Sequence, residues 1–68
     1  MERTDVVSSN ISSIGWEKGI LEVEFESGRI YLYENVSEEI YKDLLDSVSV
    51  GEEFNQTIKG RYRFERIK

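Results

Sequence analysis

Leu21, Val23 and Phe25 alternate with Glu22, Glu24 and Glu26, a period of two that reads as a strand with one buried face. Ser27-Gly28 follows as a two-residue turn signal, glycine taking the positive φ that tight hairpin turns need. With that turn, Phe25 stands opposite Ile30 and Val23 opposite Leu32, apolar against apolar. The same register sets Glu24 against Tyr31, Glu22 against Tyr33 and Glu26 against Arg29. A slip by one residue would bring glutamates against Ile30 and Leu32, so the pairing selects itself. Upstream, Lys18-Gly19 is a second turn signal that places Trp16 opposite Leu21 and Ile14 opposite Val23. Both turns predict one inward face made of Ile14, Trp16, Leu21, Val23, Phe25, Ile30 and Leu32, with Tyr31 and Tyr33 looking outward. Ile11 is out of phase with Ile14, which predicts a bulge near Ser12-Ser13.

Further on the period changes. Ile40, Tyr41, Leu44, Leu45 and Val48 fall on one stripe at helical spacing. Ser37 is placed to cap that helix, with Glu38 and Glu39 near the positive end of its dipole and Val36 able to staple onto Tyr41. Ser49-Val50-Gly51-Glu52 has capping-box spacing and opens a second, shorter helix carrying Phe54 and Ile58 on one face. Gly60 suits the left-handed residue that ends it. Residues 61–67 read as a last strand, Tyr62, Phe64 and Arg66 on one side and Arg61, Arg63, Glu65 and Ile67 on the other. The predicted fold class is α+β: an antiparallel β-meander of three strands plus a closing C-terminal strand, packed on one main helix and a second short helix. Residues 1–7 show no period and read as a poorly ordered N-terminal arm; residues 8–68 form one domain.

With 68 residues the chain is near the lower size limit for a self-sufficient core, so caps and turns carry weight. It has no cysteine and no histidine, which removes disulfides, thiolate metal sites and the commonest general base. Serines are plentiful but lack a histidine to activate them, and the lysines fall on polar faces or turns. The reading is therefore not an enzyme, with no cofactor and no metal. Glu22, Glu24 and Glu26 project side by side without the wrapping loop that calcium prefers. No apolar run is long enough to span a bilayer, and a cytoplasmic setting is the expectation.

The net charge of −5 hides an asymmetry. Residues 59–68 hold five basic side chains against Glu65, whereas the first 58 residues hold four basic and thirteen acidic ones. Such a contrast marks either a polyanion contact or a basic end that neutralises its own acidic body.

Taken in order, Ser8-Ser9-Asn10-Ile11, Ile14-Gly15-Trp16, the Gly28 turn into Tyr31-Leu32-Tyr33, the helix from Tyr41 to Leu45, Gly51, Phe54-Asn55, Ile58 and Tyr62 resemble the KTSC domain. That family takes its name from carboxy-terminal regions of lysyl-tRNA synthetases and also occurs as free-standing short proteins. The family is one of unknown function, so the resemblance implies a small non-catalytic binding module with no catalytic residue, for which the fusion context suggests RNA as a ligand. It picks out Tyr31 and Tyr33, the Phe54-Asn55 pair and Tyr62.

Two stretches are candidates for an RNA contact. Tyr31 and Tyr33 can offer ring faces to unstacked bases, with Arg29 close by, although Glu22 and Glu24 across from them would repel phosphate. Lys59, Arg61 and Arg63 interleave positive charge with the rings of Tyr62 and Phe64 going into the last strand; the other reading puts Tyr62 and Phe64 in the core, with the arginines solvated or paired with the glutamate face. The alternative is a protein-interaction or self-associating module, using the acidic surface toward a basic partner or an open sheet edge toward a second copy.

Overall fold

The computed structural model describes residues 2–68; Met1 lies outside the described residues. The elements run β1 (Thr4–Asp5), β2 (Ile11–Glu17), β3 (Ile20–Phe25), β4 (Ile30–Tyr33), α1 (Glu38–Asp46), α2 (Val50–Thr57) and β5 (Phe64–Arg66). The strands make one antiparallel sheet of five in the order β1-β2-β3-β4-β5, with both helices inserted between β4 and β5. This is the α+β meander that the periodicity predicts. The last strand joins β4, with Tyr33 opposite Phe64 and Tyr31 opposite Arg66. Thr4–Asp5, in the segment expected to be a loose arm, pairs with β2.

The first hairpin matches the reading residue for residue: Trp16 faces Leu21 and Ile14 faces Val23, across a turn in which Lys18 and Gly19 both take positive φ. The register breaks between Ile11 and Ser13, and this bulge returns Ile11 to the core face opposite Phe25.

The second hairpin departs from it by one residue. Gly28 N–H donates to the Phe25 carbonyl and Phe25 N–H to the Arg29 carbonyl, both at 2.9 Å, so Glu26, Ser27 and Gly28 together form the loop. Gly28, at φ +94°, closes a three-residue turn instead of sitting inside a two-residue one. Consequently Leu21 faces Tyr33 and Val23 faces Tyr31, while Glu22 faces Leu32 and Glu24 faces Ile30. Tyr31 and Tyr33 therefore belong to the inner face, and Ile30 and Leu32 to the other one. The expected outward tyrosine surface does not exist.

Both helices start on the predicted serines: the Ser37 hydroxyl oxygen accepts the Ile40 N–H, and that of Ser49 accepts the Glu52 N–H. Leu44 from α1, Val50 and Phe54 from α2, and Ile58 join Ile11, Ile14, Leu21, Val23, Tyr33 and Val36 in the core. The Trp16 indole N–H donates to the Val36 carbonyl at 2.7 Å, tying β2 to the entry of α1. Val48 does not extend the helical stripe. The chain turns extended at Ser47 (ψ 152°), and Val48 is left fully exposed. Gly60 takes the left-handed conformation expected of it, at φ +78°.

Candidate functional site

Putting the tyrosines on the inner face builds a different site. Beyond the part of the sheet that the helices cover lies an open groove of about 690 Å³. Its apolar lining is Phe25 from β3, Tyr31 and Tyr33 from β4, Phe54 from α2 and Phe64 from β5. The rings form one connected set. Phe25 meets Tyr31 edge-on at 5.5 Å, and Phe54 meets Phe25 at 5.8 Å. Tyr31 and Tyr33 lie stacked at 6.3 Å, and Phe64 is tilted against both at 5.5 and 5.7 Å. Edge-on and offset arrangements are those that ring quadrupoles favour, so the sheet, α2 and β5 hold one another in place here. Tyr33 is buried, Tyr31 half-buried and Phe64 exposed, so the cluster opens outward from the core. Burial pushes the Tyr33 phenol up to about 12, with the neighbouring Tyr31 adding to the shift.

Polar and charged groups ring the groove. Arg29 and Lys59 line it alongside a single carboxylate, Glu26, and Ser9, Asn10, Ser27 and Asn55 complete the polar wall. Neither Arg29 nor Lys59 makes an ion pair among the described residues. Arg66 adds a cation on the same sheet face, next to Tyr31 in the β4–β5 register.

The glutamates that would have faced the tyrosines are instead occupied on the far side of the sheet. Arg3 Nη1 lies 2.6 Å from Glu22 Oε2 and Nη2 lies 3.6 Å from Glu24 Oε1, while the Ser13 hydroxyl donates to Glu24 Oε1 at 3.0 Å. The one-residue change of register thus removes the electrostatic objection to a phosphate near the tyrosines.

Of the residues the sequence points to, Arg29, Tyr31, Tyr33 and Lys59 come together in the groove. Arg61, Tyr62 and Arg63 do not line it: Tyr62 is half-buried against the core, and Arg61 and Arg63 are exposed. Phe25, Phe54, Asn10 and Asn55 line the groove although local pattern does not mark them as a binding group; Phe64, the last ring of the basic-aromatic stretch, lines it too. Phe54 and Asn55 were picked out only through the family resemblance, because Phe54 otherwise reads as a core residue of α2.

Comparison with known proteins bears on family and fold. The model of the KTSC domain matches residues 7–62. An uncharacterized protein of Stutzerimonas stutzeri is 46% identical, over 98% of this chain and 99% of its own length. A lysine–tRNA ligase of Nostoc punctiforme is 40% identical across 69% of this chain, which spans only 8% of that longer protein. The crystal structure of a KTSC domain protein from Yersinia pestis superposes with a TM-score of 0.91 at 36% identity, covering 98% of this chain and 97% of that one. On sequence and on fold alike, this chain belongs to the KTSC domain family.

Proposed function

We propose that this chain is a non-catalytic module that binds single-stranded RNA by taking an unstacked base into the aromatic groove. The observation that carries the reading is the convergence of five aromatic side chains on one open groove whose charged lining is Arg29, Lys59 and Glu26. A base is planar and stacks on rings whatever its identity, while the attached phosphates need unpaired cations at the rim. A groove of this volume falls in the range of pockets that enclose a small organic ligand. The similarity to a stretch of a lysine–tRNA ligase points the same way, because that enzyme's name gives it an RNA to act on. A cytoplasmic setting goes with this reading.

Fluorescence anisotropy with a labelled single-stranded RNA of mixed sequence tests it. Affinity should fall as salt rises, and Arg29→Ala and Lys59→Ala should each lower the salt slope by about 0.7. Tyr31→Ala should weaken binding by about 1–3 kcal/mol, the usual value of one stacked base. No binding at low salt overturns the proposal.

A second reading is pairing of the β5 edge with another copy of the chain. In its favour, β5 ends the sheet, and Phe64 and Ile67 are 56% and 50% exposed there. Against it, Arg63, Arg66 and Lys68 would meet like charges in a symmetric pair. Sedimentation across a range of concentrations decides: a mass that rises with concentration supports it, and a constant monomer mass removes it.

A further inference from the structure

The loop Ser8-Ser9-Asn10 is built around one side chain. The Ser8 hydroxyl oxygen accepts the backbone N–H groups of Asn10 and Ile11, each at 3.3 Å. With both lone pairs engaged, its own O–H can only donate, and the atom it reaches at 3.0 Å on Asn10 must be an acceptor. That fixes the carboxamide: Oδ1 faces Ser8, and the Nδ2 amine is left as the free end, with no hydrogen-bond partner among the described residues.

Gly51 makes room for this arrangement. A Cβ at position 51 would lie 2.8 Å from Asn10 Oδ1 and 3.1 Å from Ser8 Oγ. Glycine is a poorer helix former than alanine, so this seat is held at the expense of helix propensity. Asn55 comes one turn later on α2, on the same side as Gly51, and both Asn10 and Asn55 line the groove. Two carboxamides therefore stand beside the aromatic floor, one of them locked as a donor.

Resting on the RNA reading above, we infer that Asn10 reads the hydrogen-bonding edge of the bound base and that the groove prefers uracil, which carries a keto oxygen at C4, to cytosine, which carries an amine there. A fixed amide donor satisfies the O4 of uracil; it meets the exocyclic amine of cytosine donor against donor. Asn55 lacks such a lock and adapts to whichever group lies next to it. Ser8 and Gly51 are positioning residues, acting through Asn10.

The test compares oligouridylate with oligocytidylate of equal length, at low salt and neutral pH, on the intact chain. The wild type should bind the uridylate about fivefold or more tightly, the lower end of what one well-formed base-edge contact gives. Asn10→Ala should bring the ratio to about one. Asn10→Asp, which puts an acceptor where the donor was, should favour the cytidylate. Ser8→Ala leaves Asn10 in place but unlocks it, and should lower the ratio without unfolding the chain. Equal binding of both oligomers by the wild type, or an unchanged ratio in Asn10→Ala, overturns base-edge reading and leaves RNA binding standing. Binding of neither oligomer removes both.

Discussion

The ring of Tyr33 meets the ring of Phe54 edge-on, with centroids 5.4 Å apart and planes at 79°. This contact joins β4 to α2 and sets the inner wall of the groove. Phe54 is 3% exposed, so Phe54→Ala should cost about 3–5 kcal/mol. Phe54→Leu keeps most of the volume and should remain folded while losing RNA affinity. Chemical denaturation and anisotropy on the two variants check this; an unchanged unfolding midpoint in Phe54→Ala would contradict the packing described.

The raised Tyr33 pKa gives stability a definite alkaline limit. An unfolded tyrosine ionises near 10, whereas in the folded chain Tyr33 holds its proton to about 12. The folded state binds the proton more tightly, so the contribution is complete below pH 10 and is lost as pH rises toward 12. Thermal midpoints should fall across that window, and Tyr33→Phe should fall less. Equal losses in both proteins would assign the alkaline limit to other groups.

Leu44 and Val48 sit on one helical stripe in the sequence but not in the fold. Leu44 is fully buried and Val48 fully exposed, so Leu44→Ala should cost about 2–5 kcal/mol. Val48→Ala should stay within about 0.5 kcal/mol of wild type. Melting curves of the two variants separate the account from one in which α1 continues through Val48.

Residues 2–5 depend on Gly15. A Cβ there would run into the Glu2 carbonyl oxygen and the Arg3 stem, with backbone atoms that cannot yield cheaply. Gly15→Ala should detach β1 and release Arg3 from Glu22. Hydrogen exchange at β1 should rise as a result. Arg3→Ala should leave β1 paired and remove the contacts to Glu22 and Glu24, for about 1 kcal/mol or less, with the loss shrinking in high salt.

Where the chain alternates cleanly, its sequence was legible. Trp16 and Leu21 found each other because Lys18-Gly19 allows one turn and because the same turn sets Ile14 against Val23, apolar against apolar. β4 has no such alternation. Ile30, Tyr31, Leu32 and Tyr33 are apolar at every position, so hydrophobic pairing with β3 is satisfied in either register. Gly28 takes positive φ in both turn geometries and does not distinguish them. What decides is tertiary: Phe54 and Phe64 cover Tyr33 and Tyr31, and Arg3 meets Glu22 and Glu24 on the far face. Neither partner lies close enough in sequence to register in a local pattern. The groove was partly visible for the same reason. Arg29, Tyr31, Tyr33 and Lys59 announced themselves by residue type, while Phe25 and Phe54 looked like ordinary core.

Nuclear magnetic resonance titration of the labelled chain with a short oligouridylate at low salt tests the central claim most directly. If the inner-face groove is the binding surface, the resonances of Asn10, Phe25, Tyr31, Asn55 and Phe64 should shift together while those of Glu22, Glu24 and Leu32 stay still. Shifts confined to the Glu22 and Glu24 face, or none at all, would contradict it.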